Sequence, residues 1–493
     1  MHPLIQEISN PLSPEQLVER LRDARGVMLL RSLNPNGGGL AATPAEISRA
    51  RYSFVIADPF LSFRSFGSQC EITRHDSGEA QTQFGNPWHL LDSLMARYEL
   101  LEEIDLPFPL GGCFGYWGYD LKNFVEPKLR RRAVNDLELP DCHVGFYDCV
   151  AAFDHQLGKV WIVSTGLNAD GSRSERRARE RLECWAEKLN GAGESSSARH
   201  GQRTADHGLT VTSNLSRADF VARVVRAQAY IRSGDIYQVN LSHRLAVELP
   251  ISSWELFEKL SAISPAPFSA FLDCGDFQIA SSSPEEFLRL SGSQIRTRPI
   301  KGTRPRSADP IRDAQLSYEL QTSAKEISEL VMITDLLRND LGRVCEYGSV
   351  QVPDLARLEK FAQVQHLVST VEGRLRADVT HFTAFASCFP GGSITGAPKI
   401  RAMEIIDELE PISRGPYTGA LGYLGFNRES QLSIIIRTAI CKDSRAHFNV
   451  GAGIVADSDA EAEYEETLAK ARGFAAAMDR LVGKLRSMGT LPS

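Results

Sequence analysis

The chain has 493 residues, of which 42 % are hydrophobic and 24 % charged, and its formal net charge is -7. So mild an acidic excess excludes the global positive field that gathers nucleic acid. The balance is that of a soluble globular protein with a sizeable core, built as roughly two to four domains or one composite body.

The N-terminus, MHPLIQEISNPLSPEQL, lacks a basic segment followed by an apolar one, and no apolar run approaches the ~18–20 residues that span a bilayer. Nine cysteines form no C-x-x-C pair, which argues against zinc sites and a disulfide framework and for the reducing cytoplasm. Residues 1–190 mix short strands and helices. RYSFVIADP and HVGFYDCVAAFDHQLGKVWIVS have strand composition, the second with a turn near Gly158. GGCFG at 111–115 has the form of a glutamine-hydrolysing cysteine elbow. None of the eleven histidines begins an H-x-E pair to serve it, so Cys113 reads as a small buried residue. SRSERRARERLECWAEKL reads as a polar amphipathic helix. The Gly-, Ser- and charge-rich stretch at 191–208 then reads as a linker to a second domain over 209–485.

Ser216 and Asp219 open a helix as a capping box, Phe220, Val224 and Ile231 recur near helical period, and Gly234 closes it. DIYQVNLSHRLAVEL follows as a strand. EEFLRLSGSQIRTRPI reads as a hairpin turning at Ser291–Gly292, which brings Glu285 and Lys301 to its open end. Lys301 is the one lysine among five cations in IRTRPIKGTRPR. It is either a solvated loop charge or an amine kept from water for chemistry.

SAKEISELVMITDLLRNDLG reads as a helix with Ile327, Leu330, Val331 and Leu337 as its buried stripe. Its Glu326 and Glu329 are three apart and share a side. FPGGSITGAPKIRAMEIIDELE sets a glycine-rich turn before a helix with Pro398 in its first turn, a place where free N–H groups bind anions. Near the C-terminus Ser458 and Glu461 read as a second capping box, followed by Glu463 and Glu466, three apart, and Lys470 one turn on. A single E-x-x-E is ordinarily a solvated face. Two such pairs beside an anion-binding turn point to a hard cation, magnesium, and a di-anionic substrate. GAGIVA at 451–456 matches a dinucleotide fingerprint but lacks the helix–strand unit that should follow. GGSITGAPK has Ala397 and Pro398 where a phosphate loop needs its lysine. His366, in QVQHLVST, reads on its own as a core histidine.

These stretches together resemble the chorismate-utilising enzymes, which include anthranilate synthase component I, aminodeoxychorismate synthase component I, and the isochorismate and salicylate synthases. GDIYQVNLSHR, SSSPEEF, RPIKGTRPR, LLRNDLGRV, VQHLVSTVEG, FPGGSITGAPKIRAMEIIDELE, GYLGF, IIIRTAI and GAGIVADSDAEAEYEET carry the resemblance in order across most of 216–480. RYSFVIADP and GGCFGYWGYDL extend it loosely into the N-terminal region. The resemblance implies an α/β (α+β) fold of two packed sheets flanked by helices, with the active site between them and residues 1–190 part of the same body.

By the same resemblance, Glu329 and Glu466 are magnesium ligands supported by Glu326 and Glu463. Ser393, Gly396, Arg437, Gly451, Gly453 and Lys470 hold the substrate's carboxylates, and Tyr417 is a pocket wall. Glu285 is the general acid and His366 sits near the reacting ring. Most branches of the family have alanine in PIAGT; aminodeoxychorismate synthases have lysine in PIKGT, as here. That implies covalent catalysis by Lys301, whose amine attacks only when unprotonated, a form favoured by burial and neighbouring cations. The product would be 4-amino-4-deoxychorismate, precursor of para-aminobenzoate and folate. Ammonia would come from a separate glutamine amidotransferase subunit, since no such domain is visible here. Anthranilate synthase component I is the alternative, and a non-catalytic chorismate-binding subunit a second one. The family's N-terminal tryptophan pocket often carries LLES. Here 29–32 reads LLRS, so Arg31 stands where an acid would hold an amino group, and tryptophan is expected there at most as a structural ligand.

Overall fold

The structure is a computed structural model and describes residues 2–9, 11–32, 51–101, 106–190, 211–361 and 364–478. The linker predicted at 191–208 lies outside the described residues, as do 209–210 and 479–485 at the ends of the predicted second domain. Two large antiparallel sheets, flanked by helices, make up the body. The first runs in the order 4–8, 159–164, 149–154, 52–56, 28–31, 268–273, 278–283, 438–442, 445–454, 238–248 and 212–213, with 396–397 bridged to 238–248. The second runs 300–305, 364–374, 294–297, 286–291, 429–434, 420–425, 112–117, 142–147, 61–66, 69–74 and 80–84, with 351–360 beside 364–374. Each sheet therefore takes strands from both the N-terminal and the C-terminal half of the chain.

The inner faces meet in an apolar layer. Phe54, Ile56, Leu272 and Ile279 of the first sheet pack with Phe114, Tyr116, Leu421 and Tyr423 of the second. Phe54 stands edge-on to Tyr423 across the layer, their ring centroids 5.4 Å apart. Burying each such side chain contributes about 1.5–3 kcal/mol, so the layer fixes how the sheets face one another. Cys113 lies on the fully buried strand Gly112–Trp117, and burial raises its thiol pKa far above the ordinary range. It has the environment of a core residue rather than of a nucleophile. Arg31 reaches Glu15, 2.9 Å away on the helix Pro14–Leu21. Among the described residues no helix is long and apolar enough to cross a membrane.

Most predicted helices and strands form where expected, including the Ser216–Asp219 capping box of the helix Arg217–Arg232. Four local details differ. The 286–291/294–297 hairpin pairs Ser291 with Gln294, so its turn is Gly292–Ser293, with Gly292 at φ +54°. The inward stripe of the helix Ala324–Gly342 runs through Leu330, Ile333, Thr334, Leu337 and Leu341, and Val331 faces out. Asp459, not Ser458, caps the helix Ala460–Lys470. Pro398 is the cap of the helix Lys399–Leu409 rather than part of its first turn.

Gly115 and Gly422 face each other between adjacent strands of the second sheet, both at φ +152°. A Cβ on Gly422 would lie 2.0 Å from the Gln431 carbonyl oxygen, and one on Gly115 would lie 2.2 Å from that of His143. Gly422→Ala is accordingly expected to cost roughly 3 kcal/mol of stability, read as a lowered urea midpoint at unchanged slope.

Candidate active site

At the cleft, two of the chain's passages between the sheets run side by side. Strand Gln278–Ser283 belongs to the first sheet and Glu286–Ser291 to the second, so Glu285 sits on a crossover. Strand Glu429–Ile434 belongs to the second sheet and Thr438–Lys442 to the first, so Arg437 sits on the return crossover, at φ +50°. The crossovers are stitched together: the Ile434 N–H donates to the Glu285 carbonyl at 3.1 Å, and the Ser282 N–H to that of Arg437 at 3.1 Å. The Ser283 hydroxyl adds a bond of 2.6 Å to the Ile434 carbonyl. Sequence-distant acid and guanidinium are thus fixed at one seam.

Glu285 is buried. Loss of hydration pushes its carboxyl pKa up to about 7, against a hydrogen bond from Ser393 and the charge of Lys301, both of which pull it down. Near neutral pH it divides between acid and carboxylate, as a general acid requires. Arg437 is half-buried and has no carboxylate partner among the described residues; burial lowers its pKa. A guanidinium in that state lacks an anion.

Lys301 lies on the strand Ile300–Pro305, which pairs with Val364–Arg374. The register shifts between Lys301 and Thr303, around Gly302 at φ +69°, a bulge of the kind that re-aims a side chain. The Lys301 side chain is 16 % exposed and its Nζ is 3.9 Å from Glu329 Oε2, so the amine points into the cleft and not into bulk water. His366, on the paired strand, is buried, and burial first, with the charge of Arg437, takes its pKa down to about 4. Its Nδ1 lies 3.3 Å from the Gly302 carbonyl, which can only accept, and 2.9 Å from Thr303 Oγ1. The proton is therefore assigned to Nδ1, leaving Nε2 of a neutral imidazole as an acceptor.

The cleft floor is the strand pair 238–248/445–454, in which Asn240 opposes Gly453 and Ser242 opposes Gly451. A Cβ on Gly451 would lie 2.9 Å from the buried Tyr417 hydroxyl. One on Gly453 would lie 2.5 Å from Gln238 Nε2 and 3.9 Å from Lys301 Nζ. Absent side chains at these positions leave room beside the amine. The 3-10 turn Gly392–Ile394 brings Ser393 to Glu285, and Gly396 packs so closely on strand 238–248 that a Cβ would meet the Gln238 carbonyl at 2.2 Å.

Two helices supply the carboxylates. On Ala324–Gly342, Glu326 forms an ion pair with Arg304 at 3.5 Å, and the Glu329 pKa is raised, by burial first and then by Glu326 and Glu466, against Lys301 and Lys325. On Ala460–Lys470, Glu463 is buried with Ser458 donating to it at 2.6 Å, and its pKa is raised by burial and by Glu466. Burial acts to raise Glu466 as well, but Lys470, 2.8 Å away, with Lys325 and Lys301, outweighs it and holds that carboxyl low. Lys470 also donates to the Gly451 carbonyl at 2.7 Å. Among the described residues no three acidic, His or Cys side chains close into a preformed cation cage. Glu466 nevertheless bears on Glu329 across an open, lysine-studded cleft, and each helix adds a second glutamate beside them. That oxygen-rich, open set fits magnesium, which keeps several waters and recruits an anionic ligand.

All fourteen residues singled out in the sequence lie on these elements around the cleft. Three further residues lie among them. Lys325, whose charge bears on Glu329, Glu463 and Glu466, was visible at four residues before Glu329. Ser458, whose position in the sequence suits a helix cap, instead donates to Glu463. Gln238 is buried, its side-chain oxygen without a partner among the described residues, and only the pairing of its strand with GAGIV could have drawn attention to it.

Because the Glu285 pKa is raised on folding from 4.5 to about 7, its contribution to stability is complete below pH 4.5 and is lost as pH rises through about 7. Glu285→Gln, which does not titrate, is therefore expected to gain on the wild type over that interval by roughly 3 kcal/mol and to hold the difference above it, as measured by denaturant midpoints across pH.

A sequence profile for chorismate binding enzymes matches residues 51–476. Anthranilate synthase component 1 of Acetivibrio thermocellus is 40 % identical over 442 residues, covering 89 % of this chain and 88 % of that one. Aminodeoxychorismate synthase component 1 of Escherichia coli K12 is 39 % identical over 433 residues, covering 86 % and 89 %. The crystal structure of anthranilate synthase component I from Streptococcus pneumoniae superposes with a TM-score of 0.73 at 30 % identity, covering 88 % of this chain and 93 % of that one. With a profile match over most of its length and relatives near 40 % identity, the chain belongs to the chorismate binding enzyme family.

Proposed function

We propose that this enzyme converts chorismate and ammonia to 4-amino-4-deoxychorismate through a covalent adduct on Lys301. One observation carries the proposal: a largely buried amine, on a strand bulged at Gly302, faces the cleft where its charge bears on Glu285, a buried carboxyl whose pKa is raised to about 7. The unprotonated Lys301 amine attacks ring carbon C2, the double bond shifts, and the C4–O bond breaks. Glu285 gives its proton to the departing hydroxyl, which leaves as water. Ammonia then attacks C4, the double bond shifts back, and the C2–N bond breaks with its electron pair returning to Lys301 as a neutral amine. The new ammonium on C4 passes a proton to the Glu285 carboxylate, which restores the acid. One hard displacement becomes two allylic ones.

Arg437, unpaired and half-buried, is the proposed partner of a substrate carboxylate. The turn around Ser393 and Gly396 and the strand at Gly451 and Gly453 shape the pocket, with Tyr417 as its wall and neutral His366 against the ring. Glu329 and Glu466, supported by Glu326 and Glu463, would hold magnesium, which when bound supplies positive charge for the ring carboxylate. A separate glutamine amidotransferase subunit is the proposed ammonia source, in a heterodimer. Anthranilate synthesis is the second reading, because relatives near 40 % identity carry either name. It places the nitrogen on C2 and leaves Lys301 without a covalent task.

Incubation with chorismate, magnesium and ammonium, followed by product analysis with and without an aminodeoxychorismate lyase, is expected to give para-aminobenzoate only when the lyase is present. Anthranilate without the lyase would establish the second reading. Lys301→Ala is expected to lower turnover roughly 100-fold or more while leaving the melting temperature near that of the wild type; unchanged turnover would remove the lysine from the reaction. Glu466→Gln should weaken the magnesium dependence of chorismate binding by roughly tenfold or more, measured by metal titration.

A further inference from the structure

Behind the cleft lies an ion pair that touches none of the reacting groups. Arg414 and Glu410 are almost fully buried, with side chains 2 % and 6 % exposed. Glu410 directly follows the helix Lys399–Leu409, and Arg414 is four residues on. All five N–H donors of the guanidinium are used. Nε and Nη2 grip the two Glu410 oxygens at 2.8 and 2.7 Å. Nη2 also donates to the Asn240 carbonyl at 2.7 Å, and Nη1 donates to the Ile394 carbonyl and to Thr418 Oγ1, both at 3.2 Å. Glu410 Oε1 accepts from the Ser242 N–H at 2.8 Å and from its hydroxyl at 3.1 Å. The guanidinium carbon lies 4.7 Å from the centre of the Tyr119 ring and 5.8 Å from that of Tyr417.

Each of those partners is one step from the cleft. Ile394 ends the turn whose Ser393 bonds Glu285. Asn240 and Ser242 are the residues opposite Gly453 and Gly451. Thr418 follows Tyr417, whose hydroxyl lies against Gly451. Three separate segments — the turn, the glycine strand pair and the wall — are thus held at fixed spacing by one planar fork. A fork is suited to this because its donors point in fixed directions, whereas an ammonium is a point charge with three rotatable ones.

We infer that Arg414, clamped by Glu410, is a positioning residue that sets the shape of the substrate pocket rather than only stabilising the fold. The inference rests on the proposed chorismate site and adds a specific residue pair to it. Its test separates charge from geometry. Arg414→Lys keeps a cation beside Glu410 but cannot reach all of Asn240, Ile394 and Thr418 at once. Magnesium-dependent chorismate affinity, KM, kcat and melting temperature are measured for the wild type, Arg414→Lys and Arg414→Ala. Asp148→Asn, which removes a fully buried carboxylate paired with Arg177 and Arg181 far from the cleft, serves as the control for lost stability alone.

The expected result is that Arg414→Lys melts within a few degrees of the wild type yet raises KM for chorismate at least tenfold, with a smaller change in kcat. Arg414→Ala should raise KM further, and Asp148→Asn should melt earlier with KM unchanged. A lysine variant with wild-type KM and affinity, or a KM rise in Asp148→Asn equal to that in Arg414→Ala, would overturn the positioning role. Wild-type enzyme that failed to bind chorismate at all would instead overturn the assignment of the cleft, and the positioning role with it.

Discussion

Two neighbouring crossovers carry the chain from one sheet to the other and back, and the site is built outward from them. At a sheet seam the backbone leaves its ladder, so its polar groups need other partners. Here each crossover satisfies the other, through Glu285 to Ile434 and Arg437 to Ser282. A carboxyl and a guanidinium far apart in sequence are thereby held where neither can relax into solvent. The consequences follow from burial. The acid retains its proton to near neutrality and the guanidinium is left without an anion. Lys301 and His366 enter from the edge of the second sheet, and the glycine strands enter from the first, so the cleft needs both sheets to exist.

Electrostatics in the cleft are unbalanced by design of the fold rather than by any one residue. Glu466 on one helix helps raise the pKa of Glu329 on the other and of Glu463 beside it, while Lys301, Lys325 and Lys470 lie among them and hold Glu466 itself low. In the proposed reaction such an array would be completed by a cation and a di-anion arriving together. On that proposal, the glutamate pairs, the turn at Ser393 and the arginine serve one ligand pair. Membership of the chorismate binding family accords with that chemistry. In the proposed function the branch within the family would turn on a single side chain, because an amine at 301 can form a bond to the ring and an alanine cannot.

Much of this was legible before any coordinates. Helical spacing placed Glu326 with Glu329 and Glu463 with Glu466, and the hairpin pattern brought Glu285 toward Lys301. These are local signals, with periods of a few residues. The pairing of the two sheets was not legible from period alone, since strands such as 52–56 and 268–273 share a sheet through contacts more than 200 residues apart; resemblance to a known family supplied it. Boundaries failed where two residues could do one job. Ser458 and Asp459 can both cap a helix, and the choice falls to Asp459 because Ser458 is engaged by Glu463. Val331 was misplaced because its neighbour Leu330 already fills the inward position. Gln238 and Arg414 left no periodic trace, as their importance lies in what they touch across the fold.

The claim at the centre is that the ε-nitrogen of residue 301 bonds to the substrate ring. Rapid-quench peptide mass spectrometry tests it directly, with enzyme, chorismate and magnesium mixed in the absence of ammonium and sampled again after ammonium is added. The peptide containing Lys301 should carry the mass of dehydrated chorismate and lose it as ammonium arrives and aminated product appears. Aminated product formed while that peptide stays unmodified at every time point would contradict the account.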